Sequence, residues 1–88
     1  MEIEFLEKFS RDLDQVKDIS VKKAVGKMIT RVEQAKTPNE ITDIKKLTGY
    51  KSAYRIRIGS YRIGIFVEGN LVQFARIVHR KDVYKVFP

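Results

Sequence analysis

Three arginines in the segment YRIRIGSYRIGIF, Tyr54 to Phe66, have the types and spacing to hold a polyanion. Apolar Tyr54, Ile56, Ile58, Tyr61, Ile63 and Ile65 alternate with Arg55, Arg57 and Arg62, the period of two that marks a half-buried strand pair. Gly59-Ser60 separates the two runs, and glycine at the first central position of a two-residue loop suits a type II′ turn. That turn sets Ile58 against Tyr61, Arg57 against Arg62 and Arg55 against Gly64. Directly opposed side chains on one face have Cβ atoms roughly 5 Å apart, and like charges so placed destabilise the pair. A solvated strand face is the plain reading of alternating arginines. The opposed pair Arg57 and Arg62 favours a surface that waits for an anionic ligand.

A second concentration of polar chemistry lies in the tail IVHRKDVYKVF, which carries His79, Arg80, Lys81, Asp82 and Tyr84. His79 is the single histidine, and histidine is the side chain whose ordinary pKa, about 6.5, suits proton transfer near neutrality. A surface or hydrogen-bonding role is its alternative. Tyr84 can work at a phosphate, stack on a base, or pack its ring on the helices as Phe87 is expected to do. Lys45, Lys46 and Lys51 form a diffuse electrostatic rim without specific chemistry.

Charge is divided unevenly along the chain. Met1 to Asp43 holds 8 Lys/Arg and 9 Asp/Glu, net −1, whereas Ile44 to Pro88 holds 10 and 2, net +8, which together give the +7 of the whole. Such asymmetry points to nucleic acid or an acidic protein docking on the C-terminal half. A membrane surface fits less well, because the excess lies on strand-like segments and not on a basic amphipathic helix. Eighty-eight residues make one domain, residues 1–88, with one modest core. With no cysteine, disulfides and thiolate metal sites are excluded, and one histidine cannot build a zinc centre without carboxylates. The acidic start MEIEFLEKF has no long apolar run, so neither signal peptide nor membrane span is expected, and a cytoplasmic protein without cofactor or metal is the simplest reading.

The elements that must position these residues follow from periodicity. Ile3 to Phe5 reads as a short strand. Leu6, Phe9, Leu13 and Val16 step by helical intervals. Lys17 to Ser20 reads as a turn with Ser20 as N-cap of a second helix that carries Val21, Ala24, Val25, Met28, Ile29, Val32 and Ala35. That helix stops before Thr37-Pro38. The stretch Asn39 to Tyr50, with Ile41, Ile44 and Leu47 three apart, reads as a helical turn or ordered loop. After the arginine hairpin, Glu68-Gly69-Asn70 turns the chain into a strand from Leu71 to Val78. If only Gly69 and Asn70 form the loop, Gln73, Ala75 and Ile77 share the arginine face; if Glu68 joins it, Phe74, Arg76 and Val78 do. The joint apolar face of two helices needs a sheet to cover it, which makes an α+β fold.

The order β-α-α-β-β-β, the hairpin GYKSAYRIRIGSYRIGIF and the closing HRKDVY together resemble the RelE/ParE superfamily of toxins from bacterial type II toxin-antitoxin pairs. The resemblance covers nearly the whole chain and is most specific in YRIRIGSYRI and VHRKDVY. It implies a RelE-like fold, with two N-terminal helices packed on one face of a twisted, mainly antiparallel sheet whose other face binds mRNA in the ribosomal A site. Cleavage in such toxins uses the ribose 2′-hydroxyl as nucleophile and leaves a 2′,3′-cyclic phosphate. The family's two basic positions before the first hairpin turn fall on Arg55 and Arg57, the one after it on Arg62, the one ending the last long strand on Arg80, and the C-terminal aromatic on Tyr84. The best-studied members carry lysine at the first two positions. Arginine binds phosphate bidentately and stays charged, but with a pKa above about 12 it is a poor general base. Proton transfer then falls to His79, Tyr84 or a group of the ribosome.

The resemblance thus implies a catalytic set of Arg57, Arg62, Arg80, Tyr84 and His79, with Arg55, Arg76, Lys45, Lys46, Lys51 and Lys81 as the surrounding RNA-binding surface. It also implies a small acidic antitoxin as partner, besides ribosome and mRNA. Two other functions share the fold: a ParE-like inhibitor of DNA gyrase, and a degenerate member that only binds antitoxin or nucleic acid. The set Arg57, Arg62, Arg80 and Tyr84 favours the ribonuclease, since an inhibitor that acts by binding protein has no need of a convergent phosphate site.

Overall fold

A computed structural model describes residues 1–88. Strand β1 (Glu2–Phe5) is followed by helices α1 (Glu7–Gln15) and α2 (Ile19–Gln34), a 3-10 turn at Pro38–Glu40, strands β2 (Ile44–Lys46), β3 (Ala53–Ile58), β4 (Tyr61–Glu68) and β5 (Leu71–His79), and a short helix α3 (Val83–Val86). The five strands form one sheet in the order β1-β5-β4-β3-β2, with β1 parallel to β5 and the other pairings antiparallel. This is the expected α+β, RelE-like arrangement with one strand more than periodicity suggested. No helix is long and apolar enough to cross a membrane.

The alternation in the arginine hairpin decides which face is buried. Ile56, Ile58, Ile63 and Ile65 pack with Val72, Phe74 and Ile77 of β5 against Phe9 of α1 and Val25, Met28 and Val32 of α2. Each such side chain contributes about 1.5–3 kcal/mol on full burial, and a slip of one residue would put arginines into this core. The observed register is the expected one, Ile58 with Tyr61, Arg57 with Arg62 and Arg55 with Gly64. Gly59 has φ +56° and Ser60 does not share the left-handed region, as a type II′ turn requires.

Helix α2 begins earlier than Ser20 would set it. Asp18 is the N-cap, accepting from the amides of Ser20 at 2.9 Å and Val21 at 3.4 Å, while the Ser20 hydroxyl donates to the same oxygen at 2.6 Å. The two amides therefore find a carboxylate, the stronger acceptor, and Ser20 is left as a helical residue. These bonds, led by the Ser20 hydroxyl, hold the Asp18 carboxyl below its ordinary value. The cap thus stabilises the fold above the ordinary carboxylate range and is lost as pH falls through the lowered value.

The stretch Asn39 to Tyr50 contains a strand where a helical turn or loop was expected. Ile44, Lys45 and Lys46 pair with Ile56, Arg55 and Tyr54 as a three-residue edge strand. Their apolar spacing of three serves two different environments: Ile41 and Ile44 reach the main core, and Leu47 reaches a second cluster on the opposite face.

Neither register expected for the last strand holds along its whole length. The loop is Gly69-Asn70, so Glu68 pairs with Leu71 and Phe66 with Gln73. An irregularity beside Gly64 and Ile65 then inserts Ala75, after which Gly64 faces Arg76 and Arg62 faces Val78. One extra residue reverses the alternation. The arginine face accordingly takes Gln73 and Ala75 from one register and Arg76 and Val78 from the other.

Gly64 has a specific use in this arrangement. A Cβ built there would lie 2.5–2.7 Å from ring carbons of Phe87. The missing side chain opens a seat on the arginine face, and Phe87 fills it among Leu47, Ala53, Ala75 and Val83. Phe87 therefore packs on the sheet face opposite α1 and α2, not on those helices as expected. It anchors α3 there. Gly64→Ala should displace the ring and cost about 1–3 kcal/mol as an overpacking change, seen as a lower urea midpoint with unchanged slope.

Candidate functional site

The face of the sheet left open by α1 and α2 is divided between the Phe87 cluster and a basic surface. Across it run two rows of opposed residues. One row is Lys45, Arg55, Gly64 and Arg76; the next is Arg57, Arg62 and Val78. Arg80 joins them because its backbone N–H donates to the Ser60 carbonyl at 2.8 Å, which carries the ladder past β5 and sets Arg80 beside the hairpin turn.

Arg62 is the centre of the cluster. Its Nη1 donates to the carbonyls of Gly59 and Tyr61, both at 2.9 Å. Those two bonds use one nitrogen, so the three N–H groups on Nε and Nη2 are free to face a ligand. Burial lowers the Arg62 pKa from its ordinary value, and the positive charges of Arg55, Arg57 and Arg80 lower it further, with Tyr84 acting the other way. The other three guanidinium groups therefore act on the charge of Arg62. A bound anion would relieve this repulsion and stabilise the fold by mass action.

Tyr84 reaches the same place from α3. The residue is 64% exposed, and its hydroxyl accepts from Arg55 Nε at 3.1 Å. Because that bond uses an oxygen lone pair, the hydroxyl proton is free to be donated elsewhere. The position follows from Gly64: the seat for Phe87 fixes α3, and α3 carries Tyr84 to Arg55. Beside it opens a cleft of about 330 Å³ lined by Lys45, Lys46, Leu47, Thr48, Tyr50, Tyr84, Phe87 and Pro88.

Two candidates lie elsewhere. Arg76 starts on the arginine face but turns to the edge of β5, where its Nε and Nη2 donate to Asp12 of α1 at 2.7 and 3.1 Å. The same carboxylate accepts from the Ile77 amide at 3.1 Å, and Arg76 and Asp12 side chains are only 21% and 16% exposed. The Asp12 hydrogen bond raises the Arg76 pKa above its ordinary value. Arg76 is thus a strut between helix and sheet, bonded away from a phosphate surface. His79 pairs with Tyr61, whose neighbour Arg62 points the other way, so His79 lies on the helix side of the sheet. There it meets the edge of the Tyr61 ring, centroids 5.8 Å apart, and its Nδ1 accepts from the Lys81 amide at 3.3 Å. Lys46 lines the cleft, Lys51 lines a neighbouring one together with Tyr50, and Lys81 is exposed in the turn after β5.

Three residues of the site were not singled out from the sequence. Asp43 is bonded to Arg57, Nη2 to Oδ1 at 2.9 Å. Tyr50, 52% exposed, lines the cleft with Tyr84. Gly64 seats Phe87. A glycine inside an otherwise apolar strand is itself a mark of close approach, and Tyr50 stands between Lys46 and Lys51, the aromatic-among-basic pattern of nucleic-acid surfaces. Asp43 offered no such local signal.

Comparison with known proteins agrees with this fold. Residues 3–84 match the family model described as ParE toxin of type II toxin-antitoxin system, parDE. Toxin RelE3 of Methanocaldococcus jannaschii is 39% identical over 89 residues, covering the whole of both chains. The crystal structure of a RelB-RelE antitoxin-toxin complex from Methanococcus jannaschii contains a chain similar to this one, with a TM-score of 0.82 and 39% identity over 97% of this chain and 99% of that one. A chain of the archaeal RelE-RelB complex from Pyrococcus horikoshii OT3 shares the fold, with a TM-score of 0.74 at 19% identity over 90% of this chain and 93% of that one. The sheet with its helices on one side and its arginines on the other is therefore that of the RelE/ParE superfamily of type II toxin-antitoxin toxins, to which this chain belongs.

Proposed function

We propose that the chain is a RelE-type toxin that cuts mRNA in the ribosomal A site and is neutralised by an acidic antitoxin. The observation that carries this reading is the convergence of Arg55, Arg57, Arg62 and Arg80 with Tyr84 on one open face. Cleavage by a neighbouring 2′-hydroxyl requires a phosphate to be held, the negative charge on its oxygens to be stabilised as it grows, and the leaving 5′-oxygen to receive a proton. Arg57 and Arg62 are suited to the first two tasks, because planar guanidinium groups bind phosphate bidentately and remain charged throughout. Tyr84, with its oxygen accepting from Arg55 and its proton free, is suited to the third. Lys45, Lys46 and Lys51 add diffuse attraction, and Tyr50 adds a ring on which a base can stack.

Support for an antitoxin comes from the relatives, whose crystals are RelB-RelE complexes, and from the net +8 of Ile44 to Pro88. An acidic chain laid over that surface would neutralise the repulsion within it.

The ParE description of the matching family model favours one rival, inhibition of DNA gyrase. One comparison separates the two. Translating ribosomes mixed with the purified chain should yield mRNA cut within the A-site codon, while gyrase supercoils DNA at its normal rate in the same preparation. Intact mRNA with blocked supercoiling would establish the rival.

A further inference from the structure

Asp43 is the one carboxylate bonded to any of the four clustered arginines. Arg57 holds it twice, by the side-chain bond to Oδ1 at 2.9 Å and by a backbone N–H that donates to the Asp43 carbonyl at 3.0 Å. It is also the only non-glycine residue with positive φ, +60°. The left-handed region costs an L-residue about 1–2 kcal/mol, less for Asp and Asn. A residue held there beside a charge cluster is a pointer to function. The carboxylate is 46% exposed, and its second oxygen, Oδ2, accepts no bond from the protein. Glu40, the nearest acid in sequence, is committed to the amides of Lys36 and Thr37 and takes no part.

The chemistry proposed above lacks a group to take the 2′-hydroxyl proton. Guanidinium groups, with ordinary pKa values above about 12, do not accept it. Resting on the ribonuclease reading, we propose that Asp43 is the general base of this site. As O2′ forms its bond to phosphorus, the 2′-hydroxyl proton passes to Asp43 Oδ2. As the bond from phosphorus to O5′ breaks, the departing oxygen takes the hydroxyl proton of Tyr84. The products are a 2′,3′-cyclic phosphate and a 5′-hydroxyl end, and exchange with solvent restores both side chains.

The placement suits an in-line displacement, in which O2′ and O5′ lie on opposite sides of the phosphorus. Asp43 is bonded to Arg57 and Tyr84 to Arg55, two residues apart and so about 6.6 Å along β3. The two proton-transfer groups are thus held by different arginines of β3, within the guanidinium cluster that would hold the phosphate. The rival role is simple neutralisation, with Asp43 occupying Arg57 and competing with the phosphate; removing the carboxylate would then tighten binding and speed cleavage.

The test compares wild type, Asp43→Asn and Asp43→Glu on translating ribosomes in single turnover. Binding is measured separately on ribosomes whose A-site codon carries 2′-O-methyl ribose and cannot react. Asparagine tolerates the left-handed backbone as aspartate does, so Asp43→Asn should melt with wild type. Its cleavage rate should fall about 10²- to 10⁴-fold, its binding should stay the same or tighten, and Asp43→Glu should recover part of the rate. Asp43→Asn that cuts as fast as wild type, or faster, overturns the proposal and leaves the ribonuclease reading standing. Wild type that leaves mRNA intact overturns both.

Discussion

Arg62→Ala is expected to abolish growth arrest in cells that express the chain without its antitoxin, and to lower A-site cleavage by about 10²- to 10³-fold. The purified variant is expected to melt no lower than wild type. Both results follow from one geometry. Arg62 is pinned by the carbonyls of Gly59 and Tyr61 with three N–H groups left over, which is the preorganisation that a growing phosphorane charge needs. Yet its charge is disfavoured in the fold by burial and by Arg55, Arg57 and Arg80, so its removal relieves repulsion. Loss of activity without loss of stability is the mark of a residue kept for function. A matched fall in melting temperature would make Arg62 a structural residue and remove the centre of the proposed site. Arg62→Lys keeps the charge but not the fork, and should fall between wild type and alanine.

Tyr84→Phe is expected to lower the cleavage rate by about 10²- to 10⁴-fold while ribosome binding stays within experimental error. The substitution deletes one oxygen. Because Tyr84 is 64% exposed and Val83 and Phe87 anchor α3 in the second cluster, the fold should be untouched. What disappears is the proton for the leaving oxygen and the acceptor for Arg55 Nε. A loss of binding in place of rate would reassign Tyr84 to stacking on a base. His79→Gln serves as the control: the ring lies against Tyr61 on the far face of the sheet, so cleavage should be unchanged.

The parts of the fold that were legible in the sequence are those fixed by local rules. Gly59-Ser60 and strict alternation determine the arginine hairpin completely, and the register of Arg57 against Arg62 needed nothing more. The parts that were not legible depend on partners far away in the chain. Strand β2 has three residues and exists because β3 offers it an edge, so no period could emerge from it. The extra residue at Ala75 exists because Phe74 and Ile77 both have to reach the core while Arg76 reaches Asp12, and a single inserted residue leaves no trace in composition. That residue also decides the face of His79, which explains why a histidine beside Arg80 in sequence stands away from the arginines in space. Asp43 lies 14 residues from Arg57 and meets it only after the β2–β3 pairing has formed.

A single A-site 2′-deoxyribose bears most directly on the reading of the arginine face as a ribonuclease site. Two mRNAs that differ only in the ribose at the scissile position are placed on ribosomes, treated with the wild-type chain, and their ends analysed. The ribose message is expected to be cut and to carry a 2′,3′-cyclic phosphate, and the deoxy message to stay whole although it occupies the same ribosome. Cutting of both messages, or of neither, would contradict the reading.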